Sequence, residues 1–135
     1  MPNALYNKGR QKFLEGGISW LTDTIKVVFI DSGLYSLDLV LDEFLTDIPG
    51  SAQVHISSQL AGKTADGGIA DADDLQADGV AGASIEALAL FKDTGIAATS
   101  PLIAYMDSVD GLPFTPGGDN LRIVWDNGSN RIFVL

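Results

Sequence analysis

His55 is the chain's one histidine, and it stands inside the run AQVHISSQL. A serine triad would need a nucleophile and an orienting acid beside such a histidine, and spacing supplies neither here. The sequence contains no G-x-S-x-G, no Walker A loop and no G-x-G-x-x-G after a strand. The acids offer a second chemistry. Asp71, Asp73 and Asp74 lie in DADD, with Asp66 and Asp78 nearby. Calcium gathers roughly six to eight oxygens from such clusters. EF-hand spacing fails, with no glutamate at the twelfth position counted from any of these aspartates. A looser calcium loop between Asp66 and Asp78 stays open beside the plainer reading, a solvated acidic loop. The glutamates are Glu15, Glu43 and Glu86, and no aromatic-rich sugar platform accompanies them. With no cysteine, disulfides, thiolate metal sites and thiol nucleophiles are excluded. The chain therefore reads as a non-enzyme, with no catalytic residue, no metal ligand and no cofactor assigned.

The remaining chemistry is charge. The chain has a formal net charge of −10 and eight basic residues. Lys8, Arg10 and Lys12 all precede the first acid, Glu15. Everything after them carries five bases against eighteen acids. No Lys or Arg occurs from Val27 to Gly62, nor from Thr64 to Phe91. Such a body repels nucleic acid, so no nucleic-acid partner is expected. The plain reading of the acidity is solubility. The sharper one is a module that faces solvent and holds a partner through one small basic patch.

The opening segment reads as a short helix over residues 1–16, with Asn3 as N-cap and Gly16-Gly17 as the stop. On a helical wheel Leu5, Tyr6, Gly9 and Phe13 share an arc, with Lys8 and Lys12 on its flank. A helix this short is marginal alone, so the arc must pack on something: its own domain or a neighbouring subunit. Leu5, Tyr6, Lys8, Arg10, Lys12 and Phe13 are the candidate partner-binding residues. Residues 17–135 form the body.

Beyond the glycines the period changes. TIKVVFID alternates, with Ile25, Val27 and Phe29 on one face and an apolar second face, which predicts a strand. AQVHISSQL is a second strand candidate. SIEALALFKD favours a strand with Ile85, Ala87, Ala89 and Phe91 inward. In LYSLDLVLDEFLTDIPG, Leu37, Leu39 and Leu41 alternate with Asp38, Val40 and Asp42, while EFLTDIPG looks like one helical turn. LIAYMD, LRIVWD and RIFVL are further strands. Asn127-Gly128 predicts a hairpin placing Leu121, Ile123 and Trp125 opposite Ile132 and Val134. About eight strands, fifteen glycines and five prolines describe one all-β domain: an antiparallel β-sandwich, jelly-roll-like, with a short N-terminal helix. No apolar run reaches the roughly 18 residues of a membrane span, and no secretory signal is visible, so neither a membrane nor export is expected. The missing cysteines fit reducing cytosol.

The runs ALYNKGRQKFLEGGISWLTDTIKVVFID, EFLTDIP, AGKTADGGIADADD, FKDTGIAATSPLIAYMD and GLPFTPGGDNLRIVWDNGSNRIFVL resemble a family of small tailed-bacteriophage virion proteins, similar to capsid cement or decoration proteins. The resemblance spans Ala4 to Leu135. It implies a jelly-roll-like sandwich made in the host cytoplasm and bound to the outer surface of the capsid. There it would contact the major capsid protein, as dimers or trimers, and brace the shell against packaged DNA. The alternatives are a small glycan- or peptide-binding module, or another phage head or tail component.

Overall fold

The computed structural model describes residues 4–107, 111–125 and 132–134. Among these it holds nine strands and one α-helix: β1 (Ala4–Leu5), α1 (Asn7–Glu15), β2 (Ile25–Ile30), β3 (Gln53–Ile56), β4 (Ile69–Ala70), β5 (Leu75–Ala81), β6 (Ala87–Lys92), β7 (Leu102–Met106), β8 (Gly117–Ile123) and β9 (Phe133–Val134). All pairings are antiparallel. The main sheet runs β1-β7-β6-β2-β3, and two ribbons, β4-β9 and β5-β8, form a second layer. The fold is all-β and sandwich-like.

Alternation along β2 and β6 explains the layering. Ile25, Val27, Phe29, Leu88 and Leu90 point to a core shared with Leu75, Ala77 and Val80 of β5, Ile123 of β8, and Trp125. Val28, Ile30, Ala87, Ala89 and Phe91 point the other way, into a second core. A sheet buried on both faces must be apolar on both, which is the pattern TIKVVFID and EALALF carry. The second core is closed by the segment between β2 and β3, through Tyr35, Leu45, Ile48 and Ala52. That strap has no strand. The helical turn expected in EFLTDIPG is present as a 3₁₀ turn at Leu45–Asp47.

The opening segment is built into this sandwich. Ala4 and Leu5 pair with Tyr105 and Ala104 at the edge of β7, so the helix begins only after Tyr6 rather than at Asn3. Gly16, at φ 80°, ends it in the left-handed conformation that glycine adopts without strain. Helix α1 lies so close to β7 that a Cβ on Gly9 would sit 2.6 Å from the Leu102 carbonyl oxygen.

Three further expectations resolve differently or fall outside. Asn127-Gly128 lies outside the described residues. Among the described residues β8 pairs with β5 and β9 pairs with β4, so the two runs flanking that pair are not each other's partners there. Leu121, Ile123, Trp125 and Ile132 do turn toward the first core, whereas Phe133 packs against it and Val134 is exposed. No helix among the described residues is long and apolar enough to cross a membrane.

Candidate functional site

Helix α1 straddles the edge of the main sheet and divides its side chains between three environments. Leu5 and Tyr6, just before it, are core residues: Leu5 belongs to the first core and Tyr6, fully buried, to the second. The Tyr6 hydroxyl meets the Tyr35 hydroxyl at 2.9 Å, and Tyr35 donates to Asp42 Oδ2 at 2.5 Å. Burial is the main reason the phenols of Tyr6 and Tyr35 are held well above their ordinary pKa of 10.0. This chain of hydrogen bonds fastens the entry of α1 to the strap, as does the Asn7 N–H donating to the Leu39 carbonyl at 2.8 Å.

Lys12 leans toward the same strap. Its Nζ lies 3.1 Å from Glu43 Oε2 and 5.5 Å from the centre of the Phe44 ring. Phe13 turns the other way, onto Phe133 at 6.0 Å, while Trp20 meets Phe133 edge-on at 5.2 Å. Phe13, Trp20 and Phe133, with Ala65, Gly68 and Ala70, line a half-open apolar cleft of about 150 Å³. Trp20 is oriented from behind, since its Nε1 donates to the carbonyls of Thr64 (2.9 Å) and Asp71 (3.3 Å).

On α1, Asn7, Arg10, Gln11, Leu14 and Glu15 are exposed, and Lys8 is half-buried. Leu14 is 86% exposed, more than any other large apolar residue described. Arg10 reaches only Asn7 Oδ1, at 3.4 Å. Beyond Lys8 and Arg10, the described cations are all engaged: Lys12 with Glu43, Lys26 with Asp93, Lys92 with Asp23 and Arg122 with Asp74 as ion pairs, and Lys63 with the backbone carbonyl of Asp23. Among the described residues, Lys8, Arg10 and Lys63 have no carboxylate partner, and Lys8 and Arg10 are both on α1. Of the six partner-binding candidates, the structure turns Leu5 and Tyr6 inward, ties Lys12 to the strap, sets Phe13 in the cleft wall, and gives Lys8 and Arg10 no carboxylate among the described residues. Leu14 and the cleft were missed. The signal for Leu14 was in the sequence, as an apolar residue on the polar side of the wheel.

The acidic loop is used structurally. Asp74 Oδ1 accepts from the Trp125 backbone N–H at 3.1 Å, its Oδ2 pairs with Arg122, and the Asp73 carbonyl accepts from Trp125 Nε1 at 3.0 Å. The Gln76 side chain donates to Asp78 at 2.7 Å. No group of three His, Asp or Glu residues among those described is arranged to hold a metal ion. His55 lies on the edge strand β3, half-buried, with its ring 5.7 Å from that of Phe29.

No protein-family model matches this chain, and no curated protein matches it.

Proposed function

We propose that this chain is a structural binding protein: a decoration module that attaches to the outside of a large acidic-faced protein assembly, a phage capsid, through the outer face of α1. The observation that carries this reading is that one short helix holds two cations without a carboxylate partner, the exposed Arg10 and the half-buried Lys8, together with the most exposed leucine, on a body whose other described cations are each bonded to a carboxylate or, for Lys63, a backbone carbonyl. Buried apolar area supplies affinity at about 25 cal/mol per Å², and the cations supply orientation and association rate. Many copies on a symmetric shell turn modest single contacts into firm attachment. The acidic remainder suits an outer surface and suits contact with packaged DNA poorly. The jelly-roll form and the dimeric or trimeric state implied by the family resemblance belong to this same reading.

The aromatic cleft is the observation that would favour a glycan-binding module instead. A sugar site combines an aromatic platform with polar side chains that read hydroxyl groups. Phe13, Trp20, Phe133, Ala65, Gly68 and Ala70 provide the first and none of the second, so the cleft favours an apolar group. The test is reconstitution. The purified chain is mixed with phage heads stripped of accessory proteins and imaged by cryo-electron microscopy. Ordered density on the outer surface with α1 against the shell is expected. Heads that stay bare at saturating protein would sink the proposal.

A further inference from the structure

The cleft beside α1 is large enough for a side chain and has nothing polar to hold water. A water in a cavity needs two to four polar partners, whereas an apolar cavity of about 150 Å³ takes a benzene-sized group. The walls are Phe13, Trp20 and Phe133. Each is followed in sequence by an exposed apolar residue: Leu14, Leu21 and Val134. Arg10 lies one helical turn before Phe13 and Leu14, at the spacing that makes helix side chains neighbours. Its guanidinium is exposed and has no carboxylate partner within the described chain. An apolar socket and an unpaired cation therefore share one flank of α1, while Lys12, on the opposite flank, is occupied by Glu43.

Resting on the docking reading above, we infer that this cleft is a socket for one bulky apolar side chain of a partner protein segment that carries a carboxylate within a few residues, the carboxylate being taken by Arg10. Charge complementarity selects this occupant: arginine presents a fork of donors matched to a carboxylate, and the exposed Arg10 has no carboxylate partner within the described chain.

Three peptides serve as probes against the full-length protein at about 0.15 M salt, where screening beyond roughly 8 Å suppresses the repulsion from the distant body. They are acetyl-Glu-Glu-Phe-Glu-Glu-amide, its Ala-centred analogue and its Lys-flanked analogue. Binding is followed by shifts of the Trp20 indole and the α1 amides in ¹⁵N-edited NMR. The Glu-Phe peptide should shift these signals and bind at least tenfold tighter than either analogue. Arg10→Glu, a change at an exposed position, should reverse the preference in favour of the Lys-flanked peptide. Equal binding of all three, shifts mapping away from the cleft, or a sedimenting dimer abolished by Leu14→Asp would each overturn the inference, the last by showing that a second copy fills the socket. Heads decorated normally by a protein that ignores all three peptides would dismiss the socket and keep the decoration reading. Peptide binding with bare heads would do the reverse.

Discussion

At the scale of single residues, the tyrosines carry the clearest physical consequence. Tyr6, Tyr35 and Tyr105 all have phenols raised above 10.0, in each case chiefly by burial. Below pH 10 the folded and unfolded chains both keep these protons, so the tyrosines give no pH dependence there. Above it the unfolded chain releases protons that the native one retains, so stability falls as pH rises. Absorbance at 295 nm at pH 11 should show less tyrosinate in the folded protein than after urea is added. Ordinary titration near pH 10 in the folded state would contradict this. Tyr35→Phe removes the hydroxyl that joins Tyr6 to Asp42 and should cost about 1–3 kcal/mol in urea unfolding, because two buried or half-buried polar groups lose a partner. A helical wheel places Tyr6 on an apolar arc but cannot say which surface the arc meets. Here the preceding Ala4-Leu5 pairs with β7, and that pairing decides it.

Elements show the same division between what a local pattern specifies and what only packing can. Helix α1 rests on β7 because Gly9 has no side chain, and the atoms a Cβ would meet there are backbone, which cannot rotate away. Gly9→Ala gains helix propensity yet should destabilise by about 1–3 kcal/mol, read as a fall of several degrees in the thermal midpoint by circular dichroism. An unchanged or higher midpoint would mean that the helix can ride outward freely. β2, β6 and β7 were legible in the sequence because a buried strand writes its period directly into apolar residues, and both faces of TIKVVFID announced a second core. The strap was not. Leu37, Leu39 and Leu41 alternate with polar residues as a strand would, but carboxylates take the backbone donors first. Asp38 Oδ1 accepts from the Val40 and Leu41 N–H groups at 3.0 Å, and Asp42 Oδ2 accepts from the Asp38 N–H at 3.0 Å. Aspartate competing with the ladder for N–H groups turns an alternating run into a series of turns. The pairing of β9 with β4 was illegible for another reason: the two strands lie more than sixty residues apart in the chain and nothing local links them.

For the molecule as a whole, the opening charges and the folded body cannot be separated by cutting the chain. Removing residues 1–14 would strip β1 from the sheet and Tyr6 from the second core, so loss of binding by the shortened protein would report unfolding as readily as a lost contact. Substitutions on the two flanks of α1, which leave β1 and Tyr6 in place, avoid this. Lys8→Glu with Arg10→Glu removes charges that pair with no carboxylate in the described chain, and should leave the thermal midpoint within the range of ordinary surface changes, about 0.5 kcal/mol. Attachment to heads should nonetheless slow by an order of magnitude or more, since the doubly reversed face meets an acidic shell with repulsion instead of attraction. Leu14→Asp should act on the other rate: association stays fast while the complex falls apart sooner, because the lost contribution is buried apolar area. Salt separates the two. Raising ionic strength from about 0.05 M to 0.5 M shortens the screening length several-fold and should weaken the wild-type chain about tenfold, while the charge-reversed one should respond in the opposite sense as its repulsion is screened. Surface plasmon resonance on immobilised heads gives both rates. If reversal of Lys8 and Arg10 left the association rate and its salt dependence untouched, the basic helix would have no part in docking, and the asymmetry of charge along this chain would be a matter of solubility alone.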